Sequence, residues 1–179
     1  MSYIELTDCK EQKLFVFYLG GKVKGCNIEM HDVVFVVGHS NKDILQKVKN
    51  KWCGTKESLH IDSWFILENI DGFDIKIVDK IPSDSEYSLY FVNLGSYKEG
   101  QFGENHFMGF YIAKSKSQAI KIAKSDVLKD QIIIHSDNIY DIDDCLNIDN
   151  IDNKYIALQY SGNKTSINPV NGYQKIPSI

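Results

Sequence analysis

Two pairs of acid and histidine, each with one residue between, mark where this chain could do chemistry: Glu29 with His31, and His60 with Asp62. Both spacings recur further on, as Glu104 with His106 and His135 with Asp137. Imidazole nitrogens and carboxylate oxygens together make a ligand set for zinc, iron or manganese. They also make an acid/base set, because a carboxylate orients an imidazole and holds its charge change near neutral pH. Residues two apart on a strand share a face, so each pair projects as a unit. If the second and third strands of a half are neighbours, as a strand-helix-strand crossover permits, all four side chains meet near the strand ends. A reading without ligand stands beside this one. An acid at a strand entrance accepts backbone N–H groups, and a neighbouring histidine satisfies it, which stabilises a loop without chemistry. His39 falls outside the set, since Lys114 takes its place in the second half.

The elements that must position these residues come in two copies. Residues 14 to 65 align without a gap on residues 89 to 140, a shift of 75 that yields eleven identities, among them all four polar pairs. Each copy opens with a strand, Leu14 to Leu19 and Leu89 to Leu94, rich in aromatic and β-branched residues and closed by a glycine. A second strand follows over Glu29 to Val37 and Glu104 to Ile112. Ser40 and Ser115 then supply N-caps, with Asp43 and Gln118 at the third helical position. Apolar residues at four-residue spacing, Ile44, Val48 and Trp52, matched by Ala119, Ala123 and Val127, give each helix one face for a sheet. A third strand runs from His60 to Leu67, and Asp71-Gly72 is a hairpin signal into Phe73 to Val78. In the second half the matching turn reads as longer, a polar stretch from Asn147 to Asn153 before Tyr155 to Tyr160.

The expectation is therefore an α+β fold, two tandem ββαββ repeats packed as an intrachain pseudo-dimer, because each half has one helix to cover its sheet. Its parts are an N-terminal extension (1–13), repeat 1 (14–78), a linker (79–88), repeat 2 (89–160) and a C-terminal tail (161–179). The tail, with Gly162, Pro169, Gly172 and Pro177, reads as loop or frayed end with little function.

Composition narrows the classes. At 179 residues and 43% apolar content the chain builds its own core. A net charge of -4 argues against nucleic acid, which needs a basic face. Cys9, Cys26, Cys53 and Cys145 have neither C-x-x-C spacing nor a histidine at a zinc interval, so they read as reduced thiols. Charges occupy the place of a signal peptide's apolar run, and no stretch spans a bilayer, so a cytoplasmic protein without membrane is expected. Gly21 to Gly25 lacks the order of a phosphate loop, and no nucleophile elbow or dinucleotide fingerprint occurs.

Leu14 to Gly21, Asn27 to Asp32 with its Glu29-Met30-His31 core, Val34 to Val37, and Leu59-His60-Ile61-Asp62 together resemble the bacterial family catalogued as domain of unknown function 1543. The second half resembles it through Leu94-Gly95, Glu104-x-His106 and His135-x-Asp137, with Ser96 in place of Gly21 and Phe107 in place of Asp32. The resemblance implies a bacterial protein built on this repeat unit and supplies no activity. Two functions are consistent with these residues. One is a non-enzymatic module that binds a small molecule or a protein between its halves, with self-association through sheet edges. The other is a hydrolase, metal-dependent or His/carboxylate-based, using the repeated pairs.

Overall fold

The computed structural model describes residues 2–83, 85–97, 99–130 and 141–177. In chain order its elements are β1 (Ser2–Tyr3), β2 (Lys13–Gly21), β3 (Met30–Gly38), α1 (Asn41–Lys51), β4 (His60–Ile66), β5 (Asn69–Ile70) and β6 (Phe73–Val78). There follow β7 (Ser88–Ser96), β8 (Asn105–Ala113), α2 (Lys116–Asp130), β9 (Asp141–Asn147), β10 (Asn150–Ile151), β11 (Lys154–Tyr160) and β12 (Val170–Lys175). This is an α+β fold. Both helices start as their serines predict: the Asp43 amide donates to Ser40 Oγ at 3.4 Å, and the Gln118 amide to Ser115 Oγ at 3.3 Å.

The halves share a topology. In the first, β2 runs between β3 and β4; in the second, β7 runs between β8 and β9. The second and third strands of each half are therefore not neighbours, contrary to the sequence reading, because the crossover through the helix steps over the opening strand. Side chains on one face of β2, among them Phe15, Phe17 and Leu19, pack with Ile44, Leu45 and Val48 of α1. Those on its other face, Leu14 and Val16, join Leu89, Phe91 and Ile112 from the second half in a core between the two sheets. Tyr90, Val92 and Leu94 meet Ala119 and Ala123 under α2. The helices thus cover the outer faces and the sheets face each other.

The hairpins join the halves. Asp71-Gly72 and Asp152-Asn153 each place both central residues at positive φ, as a tight hairpin turn matching strand twist requires. The second-half turn is thus as short as the first. β6 and β11 pair antiparallel, with Lys76 opposite Ala157 and the register running symmetrically from Phe73–Tyr160 to Val78–Tyr155. Because β5–β6 and β10–β11 also share one register, the strand order β10-β11-β6-β5 reads the same for either half. Asp152 ties the seam further, accepting from the Val37 amide at 2.9 Å and pairing with Lys51 at 2.8 Å.

The gap-free alignment holds through β2, β3 and the start of the helix, then ends. Gly20 pairs with His60, whereas its counterpart Gly95 pairs with Asp141, so the third strand returns after a shift of 81 rather than 75. His135 and Asp137 lie outside the described residues. The tail is not simply loop. β12 pairs with β4 and with β1, extending the first-half sheet to the order β1-β12-β4-β2-β3. No helix among the described residues is long and apolar enough to cross a membrane.

Candidate metal centre

The site is built over a glycine. His31 on β3 and His60 on β4 both pair with Gly20 of β2, so the three lie in a row and project from the same face of the sheet. Two strands apart, the imidazoles would ordinarily be separated by a side chain. At Gly20 there is none, and a Cβ built there would stand 2.5 Å from His60 Nε2 and 2.8 Å from Asp62 Oδ2. Asp62 arrives through a bulge. Tyr18 pairs with Ser63 and Leu19 with Ile61, which leaves Asp62 as the extra residue and turns it onto the face of His60. Glu29 enters from the residue before β3.

The structure brings these four first-half residues together. His60 Nε2 lies 3.1 Å from Glu29 Oε1 and 3.4 Å from Asp62 Oδ1, while His31 Nε2 lies 3.4 Å from Glu29 Oε1 and 3.4 Å from Asp62 Oδ2. His60 is buried at 2% exposure, and its Nδ1 sits 3.0 Å from the Ser58 carbonyl, which can only accept. Nδ1 therefore carries the proton, and in the neutral ring Nε2 turns its lone pair toward two carboxylate oxygens. Asp62 Oδ2 is buried with no hydrogen-bond partner. Rings brace both imidazoles: Tyr18 stacks on His31 at 5.2 Å, and Tyr173 of β12 stacks on His60 at 4.1 Å. Burial, with the Asp62 charge behind it, pushes the Tyr18 hydroxyl up from 10.0.

The second half repeats the plan with different chemistry. Gly95 is again the floor, where a Cβ would collide with the Glu104 carboxylate. A bulge at the same point, between Asn93 and Leu94, turns out Asp143. Glu104, His106 and Asp143 gather there, and His106 Nδ1 meets Asp143 Oδ2 at 2.8 Å, a normal charge-assisted hydrogen bond. The register place of His60 is taken by Asp141, and that of Tyr18 by Asn93.

Asp143, Asn93 and Tyr173 escaped the sequence reading. The signal for Asp143 was present: Asn69-Ile70-Asp71 recurs as Asn150-Ile151-Asp152, and Ile61-Asp62 as Ile142-Asp143, both at the longer shift. Both clusters open on one cleft of about 580 Å³ between the halves, lined by Glu29, His31, Asn93, Glu104, His106 and Asp144, among others.

Paired β-sheets facing across a cleft, each with a glycine-floored cluster of acid and histidine, define this as a two-half α+β protein with candidate ligand sites between its sheets. A family model described as Domain of Unknown Function (DUF1543) matches residues 26–77, the segment that carries Glu29, His31, His60 and Asp62. The crystal structure of a protein Il1583 from Idiomarina loihiensis is similar at 32% identity and a TM-score of 0.73, over 94% of this chain and 100% of that one. The chain belongs to the DUF1543 family. No curated protein matches it.

Proposed function

We propose that the protein binds one divalent transition metal, zinc, iron or manganese, through Glu29, His60 and Asp62, with His31 beside them. The observation that carries this is the gathering of Glu29, His60 and Asp62, whose ligand atoms all lie within 4.8 Å of one another, with His60 Nε2 3.1 Å from Glu29 Oε1 and 3.4 Å from Asp62 Oδ1. Charge-assisted hydrogen bonds close to about 2.7–2.9 Å. Ligand atoms bound about 2.0–2.1 Å from a tetrahedral centre stand roughly 3.3–3.4 Å from one another. The first-half cluster has the spacing of ligands, and the His106–Asp143 pair has that of a hydrogen bond. The Ser58 carbonyl supports the reading further, since it fixes the tautomer of His60 that leaves Nε2 free to ligate.

Metal analysis of the purified protein, with titration of zinc, iron(II) and manganese into chelator-treated protein, tests this. One equivalent, lost in Asp62→Asn and in His60→Gln and kept in Glu104→Gln, is the expected result. Folded protein that takes up none of the three metals would refute the assignment.

A second reading, metal-assisted hydrolysis, is supported by Glu29 and His31 lining the open cleft, which would leave one side of the ion reachable by water and substrate. Metal-dependent turnover of activated esters or phosphoesters, reduced in a His31→Gln protein that still carries metal, is its test. Absence of turnover in the loaded protein leaves the binding role alone.

A further inference from the structure

The polar cleft continues into a second compartment of about 370 Å³, and the two share Tyr18, Val33, Phe91 and Met108 as walls. This second compartment is almost wholly apolar. Phe65 and Phe110 line it, and Ile167 and Pro169 from the segment before β12 cover one side. Its size falls within the range of small-molecule pockets. Neither compartment has a lysine or arginine among its described lining residues, whereas the cleft presents Glu29, Asp32, Glu104 and Asp144. An anion would find neither lysine nor arginine in either, only His31 and His106 in the cleft. On the same wall Asn93 donates from Nδ2 to Asp143 Oδ2 at 3.3 Å, and its Oδ1 is shielded from solvent.

We infer that the cleft binds a small organic ammonium compound, its apolar body in the Phe65–Phe91–Phe110 chamber and its N–H donors on Glu104. Three features of that ligand class are each matched. An ammonium group supplies the donors that the Glu104 carboxylate accepts as charge-assisted hydrogen bonds. Its charge also suits the faces of Tyr18 and Phe91 at the junction of the compartments. An apolar body of aromatic or branched aliphatic kind fills a chamber that water wets poorly. The site uses Glu104 of the second half, whereas the proposed metal lies over the first, and it belongs to the metal-free cleft, because a bound ion facing the cleft would add positive charge to it.

Titration calorimetry of the full chain with 2-phenylethylamine, 2-phenylethanol and 3-phenylpropanoate, run on chelator-treated protein, tests the inference. The expected order is amine first, alcohol at least tenfold weaker (about 1.4 kcal/mol) and no binding of the carboxylate. Glu104→Gln should weaken the amine about tenfold, with circular dichroism unchanged. Carboxylate binding equal to that of the amine, no amine binding at millimolar concentration, or amine affinity unmoved in folded Glu104→Gln would each overturn it. A second equivalent of metal that is lost in Glu104→Gln and not displaced by the amine would do the same. Uptake of the first metal is read separately through Asp62→Asn, so failure of the metal assignment and failure of the ammonium site are distinguishable.

Discussion

The ring of Tyr173 lies on the imidazole of His60, centroids 4.1 Å apart and planes 25° from parallel, so the last strand of the chain holds a residue of the first-half cluster in place. His60 is fixed on three sides, by Tyr173, by the Ser58 carbonyl at Nδ1 and by the bare Cα of Gly20 beneath it. Stacked ring pairs contribute about 0.5–1.5 kcal/mol beyond the area they bury. Tyr173→Ala should therefore weaken metal binding about three- to tenfold, and Tyr173→Phe should restore it, since the contact is made by the ring. Competition with a chromophoric chelator measures both. Equal affinities of wild type and Tyr173→Ala would remove β12 from the site.

Gly20→Ala separates site from fold. The added methyl group would stand 2.5 Å from His60 Nε2 and 2.8 Å from Asp62 Oδ2, so the ring and the carboxylate must shift. Overpacking of this kind costs about 1–3 kcal/mol. The variant should fold with a lowered denaturation midpoint and take up no metal. Gly95→Ala, which crowds Glu104 instead, should keep the metal. Metal retained in Gly20→Ala would mean that the ligands are not those over the glycine.

Asp74 gives stability a pH dependence of predictable sign. Asn69 Nδ2 at 2.8 Å and then Ser161 Oγ at 3.0 Å donate to its carboxylate, and these bonds hold the carboxyl below its ordinary 3.8. The folded state thus binds its proton less readily than the unfolded chain. The resulting stability is complete above 3.8 and disappears as pH falls through the lower folded value. Denaturation at a series of pH values should show wild type and Asp74→Asn converging as the medium is acidified from about pH 5 toward pH 2. A constant gap between them would contradict the assignment. The group is at the surface, so the difference should be small.

How much of this was legible in the chain depends on what sets each feature. Strand and helix positions follow from local pattern, and β6, Phe73–Val78, appears where the Asp71-Gly72 turn and its apolar residues place it. Glu29, His31, His60 and Asp62 were legible as types at strand spacing, but the reason they meet was not. Their convergence depends on β2 lying between β3 and β4 and on a missing side chain at Gly20, and strand order leaves no mark on local sequence. Asp143 was hidden for a related reason. The coincidence of His135 and Asp137 with the shorter shift masked the change of register that the bulge and Gly95 reveal. Tyr173 sits in a polar, glycine-containing segment with weak strand propensity, and it becomes a strand because β4 offers it an edge.

Phe35 and Phe110 occupy equivalent places in the two halves and touch each other, ring centroids 6.2 Å apart, with Phe91 at 5.4 Å from each. Phe65 closes the group on Phe110 at 5.8 Å. These rings come from both sheets, so the core that each half lacks is supplied by the other. Removing a buried phenylalanine side chain costs about 3–5 kcal/mol. If the halves were separate domains, Phe35→Ala would destabilise one and leave the other, and denaturation would resolve into two steps. With a shared core, and with β6 bonded to β11 along its length, the loss falls on both. Phe35→Ala and Phe91→Ala should each lower the midpoint of a single transition, monitored by far-ultraviolet circular dichroism and by tryptophan fluorescence. Both tryptophans, Trp52 and Trp64, lie in the first half. Coincident curves in Phe91→Ala, altered in the second half, would show that the halves unfold as one, and curves that part would show that they do not.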